Sequence, residues 1–203
     1  MEGKGDAVRF GPSGRTQYPA TLSKDGKAIV VTEMSPKNGL DLFLIPVDAD
    51  ARPVPLLVTD NSEYDADLSP DGKWFVYVTR TSGRPEIGVR SVAGGGGESR
   101  ASLNGGTEPR WSRDGREIFF REGQKMMVAE VRTGPALQIS KPRALFEGLY
   151  EVMDGPIDYD VTSDGRRFLM VKMERSEAPT ELRVVTSWDR ELRKALPSGG
   201  DRP

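Results

Sequence analysis

The chain has 203 residues, and 29 basic side chains nearly balance 31 acidic ones for a formal net charge of −2. That balance lacks the basic footprint of a nucleic-acid binder. With neither cysteine nor histidine, disulfides, thiolate chemistry, zinc sites of the Cys/His type and every His-based triad are excluded. The 23 Gly and 15 Pro beside a hydrophobic fraction of 36% point to many turns joining thin β-layers.

From the N-terminus, residues 1–6 are polar and read as a flexible lead-in with no apolar signal-peptide core behind them. The apolar runs stay short, as in Ile29-Val30-Val31 and Phe75-Val76-Tyr77-Val78. None approaches the roughly 20 residues that span a bilayer, so a soluble chain with no membrane insertion is expected. Ala7-Val8-Arg9-Phe10 reads as a short strand. It either completes the last unit of the array described next or ends a unit that the sequence does not contain.

A self-similar segment then recurs four times: Ser23-Lys-Asp-Gly-Lys, Ser69-Pro-Asp-Gly-Lys, Ser112-Arg-Asp-Gly-Arg and Thr162-Ser-Asp-Gly-Arg. The aspartates stand at 25, 71, 114 and 164, in steps of 46, 43 and 50 residues. Such a period suits a four-stranded propeller blade of about 40–50 residues. Asp25-Gly26, Asp71-Gly72, Asp114-Gly115 and Asp164-Gly165 are read as hairpin turns, since glycine takes positive φ without a Cβ clash. The Ser or Thr two residues earlier can bond backbone groups inside the turn.

Each unit is expected to run a first strand into that turn (18–23, 64–69, 107–112, 157–162) and a second strand out of it. A third strand follows (41–44, 86–89, 125–128, 181–184), then a fourth in three of the units (54–58, 99–103, 143–146). The fold class is therefore all-β, a propeller of four four-stranded blades over residues 7–186. It is either a small closed ring or a segment of a larger one. Trp188, Leu192 and Leu196 share a face at helical spacing after Ser187, which predicts a short helix over 187–197. A disordered tail over 198–203 ends the chain.

The unit Ser-Pro-Asp-Gly-Lys-Trp-Phe-Val-Tyr resembles the blades of TolB-like bacterial propellers, relatives of the WD-type propellers. Further matching stretches are Pro109-Arg-Trp-Ser-Arg-Asp-Gly-Arg-Glu-Ile-Phe-Phe120, Lys125-Met-Met-Val128, Pro142-Arg-Ala-Leu-Phe-Glu-Gly148 and Tyr159-Asp-Val-Thr-Ser-Asp-Gly165. With Glu181-Leu-Arg-Val-Val185 they resemble the propeller that ends many bacterial receptor-type serine/threonine kinases. That resemblance implies an extracytoplasmic sensor part, periplasmic in the parent protein. No Gly-rich loop, Val-Ala-Ile-Lys or His-Arg-Asp occurs in this chain, so it carries no kinase of its own. Propellers of that family have six or more blades against the four repeats here.

First strands conventionally line the channel of a propeller. Four and six residues before each turn aspartate stand Thr21 and Pro19, Asp67 and Asp65, Arg110 and Glu108, and Asp160 and Asp158. Alternate residues of a strand share a face, so Asp65 with Asp67, and Asp158 with Asp160, are expected to point together. An oxygen-only set of these four would suit Ca²⁺. The plainer reading is a solvated acidic mouth partly neutralised by Arg110. Tyr18 and Tyr64, at equivalent positions, either shape that mouth or pack between blades. The other strand aromatics, Trp74, Phe75, Tyr77, Trp111, Phe119, Phe120 and Phe168, read as packing between blades.

These residues support a non-catalytic module that binds a protein or small-molecule ligand, with no cofactor unless Ca²⁺. The alternative is the propeller part of a hydrolase or peptidase, or a carboxylate-only enzyme with its site in the acidic channel. Exposed faces of the end blades would favour homo-oligomers.

Overall fold

The computed structural model of the chain describes residues 15–37, 39–47, 52–95, 97–133, 136–151 and 157–173. The proposed strands at 7–10 and 181–184, the helix at 187–197 and both termini lie outside the described residues. All regular structure among the described residues is β, and no helix there is long and apolar enough to cross a membrane.

Three complete antiparallel sheets and the first hairpin of a fourth follow one another along the chain. The first blade contains β1 (Gln17–Leu22), β2 (Ala28–Ser35), β3 (Gly39–Pro46) and β4 (Val54–Leu57), ordered as in sequence. The second repeats that order with β5 (Glu63–Leu68), β6 (Trp74–Thr79), β7 (Glu86–Ser91) and β8 (Ser99–Arg100). In the third, β9 (Thr107–Trp111) and β10 (Glu117–Glu122) lead to a long β11 (Lys125–Arg132). Its two ends pair with different short strands, β12 (Gln138–Ile139) and β13 (Arg143–Glu147). The fourth blade begins with β14 (Tyr159–Val161) and β15 (Phe168–Met170). The strand order is the one the repeat predicts. The outer strand of the second blade starts at Ser99 as expected but ends at Arg100, because beyond it the Ser102 hydroxyl, not a backbone carbonyl, accepts the Ile87 N–H.

One turn builds every inner hairpin. The Ser or Thr hydroxyl (Ser23, Ser69, Ser112, Thr162) donates to the turn aspartate and accepts the N–H five residues on, at 2.9–3.1 Å. The aspartate accepts the N–H two residues on at 3.1 Å in all four copies. Gly26, Gly72, Gly115 and Gly165 sit at φ of 71°, 69°, 73° and 69°, where a Cβ would be strained. The side chains thus absorb the N–H groups that a four-residue loop leaves over.

Apolar residues of the second strands lock neighbouring blades together. Val30 of the first blade packs with Phe75 and Tyr77 of the second. Val76 and Val78 pack with Ile118 and Phe120 of the third. Phe119 packs with Phe168 and Met170 of the fourth, its ring meeting Phe168 edge-on at 5.2 Å. Burying a Val or Phe side chain contributes roughly 1.5–3 kcal/mol, so these three seams are the core. Phe75, Tyr77, Trp111, Phe119 and Phe120 are buried as expected. Trp74 is only partly covered.

Candidate functional site

The inner strands β1, β5 and β9 are each irregular at the same point, six residues before the turn aspartate. Asp65 and Glu108 occupy that point with φ of 49° and 55°, the two positive values among described residues other than glycine. Left-handed backbone at such residues costs on the order of 1–3 kcal/mol. In β5, Tyr64 pairs with Val78 and Asp67 with Val76, so Asp65 and Ala66 together face Tyr77. This bulge corrects the expected alternation, because the extra residue removes the two-residue period that would aim Asp65 and Asp67 the same way.

Asp67 is buried between blades rather than solvated at a mouth. Its Oδ2 accepts the Trp111 N–H at 2.8 Å, and Arg110 Nη1 lies 3.8 Å from Oδ1. Burial pushes its pKa up, while Arg110, the Trp111 N–H and the Thr21 hydroxyl pull the other way. Thr21, Asp67 and Arg110 are the residues four before the turn in three successive blades, so one carboxylate ties three inner strands together.

Glu108 makes the corresponding link from the third blade to the fourth. It is 1% exposed. Its Oε2 accepts the Asp158 N–H at 3.1 Å, and its carbonyl accepts the Tyr159 hydroxyl at 2.9 Å. Oε1 is buried without a hydrogen-bond partner. Burial raises the Glu108 pKa against the Asp158 N–H and the Arg121 guanidinium. Burial likewise holds the Tyr159 phenol well above its ordinary value, as a neutral donor.

Arg121, also 1% exposed, is a residue that pattern reading missed. One nitrogen donates to the Gly123 carbonyl at 3.0 Å, while Nε and Nη1 have no partner. Its guanidinium carbon lies 5.8 Å from the centre of the Tyr150 ring. A signal was present: seven residues after the turn aspartate, the other repeats place Thr32, Val78 and Val171. A charge in that column marks a buried ion facing an acid.

Of the remaining candidates, Asp158 joins these links through its backbone N–H to Glu108. Asp160 is exposed and accepts its neighbour's N–H from Val161 at 2.8 Å. Tyr18 is exposed. Tyr64 is half-buried beneath Arg80, whose guanidinium lies 5.7 Å from the ring centre. Asp65 and Asp158 are half-buried. The four acids considered for Ca²⁺ do not gather: among the described residues no three carboxylates converge on a metal position.

A second polar layer sits at the ends of the blades opposite the Asp-Gly turns, again without a sequence motif. Glu86 accepts Ser102 at 2.6 Å and Arg84 at 2.7 Å. Glu63 accepts Thr59 at 2.8 Å and leaves Oε2 buried and unpartnered. Burial raises the pKa of Glu63 and of Asp41. Two open hollows of 520 and 700 Å³ lie instead at the turn side. They are lined by 71–74 with 91–93, and by 114–117 with 130–132, and both reach Thr133. Neither touches the candidate acids.

No family model and no curated protein matches the sequence. Solved structures do match. A TolB structure from Agrobacterium tumefaciens superposes with a TM-score of 0.53 at 18% identity, over 68% of this chain and 51% of that one. The puromycin-hydrolyzing peptidase of Mycobacterium tuberculosis gives 0.56 at 19%, over 78% of this chain and 28% of that one. A 6-phosphogluconolactonase structure from Bacteroides fragilis gives 0.51 at 14%, over 82% and 52%. The fold is that of a β-propeller. At these identities the likeness carries the fold alone, and the chain spans about half or less of each of these structures.

Proposed function

We propose that this propeller is a non-catalytic binding module that offers its inner-strand rim to a protein or small-molecule ligand. The observation that carries this reading is the strained, polar bulge at Asp65 and Glu108. Strain at two equivalent inner-strand positions is the kind of feature that clusters at binding sites. The Asp65, Arg110, Asp158 and Asp160 side chains would meet the ligand, with Tyr18 and Tyr64 at the rim. Asp67 and Glu108 would hold the strands that present them. The C-terminal repeats' resemblance to kinase-terminal propellers supports a place outside the cytoplasm, as the sensing part of a bacterial serine/threonine kinase.

The test is a thermal-shift screen of peptides and small polar metabolites against the wild type and the Asp160→Ala and Arg110→Ala variants. A ligand that prefers the folded chain raises its melting temperature. A hit lost in both variants supports the reading. A hit unaffected by either, or turnover of the bound compound, refutes it. The second reading, a propeller belonging to a hydrolase, draws on the peptidase likeness. There this chain would correspond to about a quarter of the whole, and turnover in the same screen favours it.

A further inference from the structure

The polar layer at the blade ends opposite the turns holds four acids that the ligand reading does not use. Glu33, Asp41, Glu63 and Glu86 are each no more than 4% exposed. Two of them are well served as anions. Glu86 accepts Ser102 and Arg84, with Arg100 at 4.0 Å. Burial pushes its pKa up, but these partners outweigh it. Glu33 accepts Arg15 and, at 2.8 Å, Gln17.

Asp41 and Glu63 have no such cover. They face each other across the seam of the first two blades, Asp41 in β3 and Glu63 at the start of β5. Asp41 Oδ1 and Glu63 Oε2 are both buried without a hydrogen-bond partner. Glu33 stands directly opposite Asp41 on β2, and like charges so placed destabilise a sheet. Thr59, in the connector between the blades, ties the two acids together. Its hydroxyl donates to Glu63 at 2.8 Å and its backbone to Asp41. The Leu40 N–H donates to the Ser62 hydroxyl at 3.3 Å, holding the start of β3 against that connector. Cations are few here: Arg15, exposed and already bonded to Glu33, acts on Asp41, and Arg90 of β7 acts on Glu63. Ser35 and Thr79 add only neutral hydroxyls. Burial raises the pKa of both acids; Glu33 raises Asp41 further, and Asp41 raises Glu63 further.

We infer that Asp41 and Glu63 hold one proton between them in the folded chain, and that its release as pH rises loosens the seam between the first and second blades. A buried carboxyl without enough partners takes up a proton rather than remain charged. Ionising either one raises the cost of ionising the other, so the two titrate as a pair. The folded pair keeps its proton at a pH where the unfolded chain has lost it. Its contribution to stability is therefore fully present below the unfolded pKa values and lost as pH rises through the folded ones. The ligand of this site is the proton and not a metal, since among the described residues no three carboxylates converge on a metal position. The inference is independent of the ligand reading above.

The test is carboxyl-carbon NMR of the full chain, labelled in its Asp and Glu side chains, with urea unfolding from mildly acidic to neutral pH. Both carboxyls should titrate above the ordinary carboxylate range, and Asp41→Asn should bring the Glu63 midpoint down by about one pH unit or more. Over that range Glu63→Gln should remove about tenfold from the wild type's loss of folded-to-unfolded ratio. Amide hydrogen exchange at matched pH locates the effect: β3 and β5 should open more readily in the wild type than in Glu63→Gln at neutral pH, but not in acid. An unmoved Glu63 midpoint overturns the inference. So does a Glu63→Gln effect that is the same at every pH, as a merely structural role would give, or exchange that differs equally in the third blade. Should the variants misfold, the wild-type spectrum decides, and either carboxyl titrating in the ordinary range refutes the shared proton.

Discussion

Replacing Asp67 by alanine tests whether the inner-strand acids hold the blades together. The carboxylate accepts one buried backbone N–H from the neighbouring blade at 2.8 Å. A hydrogen bond to a charged group contributes about 1.5–3 kcal/mol, and its loss leaves the Trp111 N–H unpaired. Relief from burying a carboxylate whose pKa burial has raised offsets part of this. We expect a net loss of about 2 kcal/mol for Asp67→Ala. For a chain of this size that corresponds to a melting temperature lower by roughly 4–8 °C. Asp67→Asn keeps an acceptor for Trp111 and should lose less than about 1 kcal/mol. Arg110→Ala removes a partly exposed charge 3.8 Å away and should lose less still, about 0.5 kcal/mol. Thermal unfolding by circular dichroism measures all three. If Asp67→Ala melts within about 1 °C of Asp67→Asn, the N–H link carries no stability and the seam reasoning is wrong.

Glu108 sets a pH dependence. Burial raises its folded pKa above the unfolded value, so the stability it contributes is fully present below the unfolded pKa and lost as pH rises through the folded one. Glu108→Gln should flatten that decline in urea unfolding across mildly acidic to neutral pH, and an unchanged slope would refute the assignment. The turn aspartates act oppositely: bonds from Ser23, Ser112 and Thr162 lower Asp25, Asp114 and Asp164. In Asp71 burial raises the pKa, but the Ser69 and Lys73 bonds outweigh it. Their contribution is therefore lost as pH falls through the folded values. Gly88→Ala would bring a Cβ to 2.7 Å from the Tyr77 ring and should cost about 1–3 kcal/mol in chemical unfolding. At φ 49°, Asp65→Val should lose at least about 1 kcal/mol while Asp65→Gly does not; equal losses would mean that the bulge is unstrained. Added Ca²⁺ should leave the melting temperature unchanged, since no three carboxylates converge among the described residues.

The repeat made the fold legible because four Ser/Thr-x-Asp-Gly turns at a steady period fix where every inner hairpin bends. That signal is local: each turn bonds itself through side chains within five residues. The strand order of the second blade and the burial of Phe75, Tyr77 and Phe120 follow from it. What the pattern could not show was the bulge. An extra residue in an inner strand leaves no mark in a count from the turn, yet it redirects every side chain beyond it. The acids at 65, 67, 108 and 158 were therefore found as a set, but not their division between buried links and rim.

The buried links have a further consequence. Apolar seams alone would let one blade slide along the next, because burial is non-directional. The Asp67 to Trp111 and Glu108 to Asp158 bonds each join a side chain to one particular N–H across a seam. A slip of a single residue would bury an unpaired carboxylate, at a cost of several kcal/mol. The polar residues of the inner strands therefore set the register of the blades as well as shaping the rim. Asp160, in the column that supplies Asp67 to the second blade, is exposed. It accepts the N–H of its own neighbour Val161 instead of one across a seam.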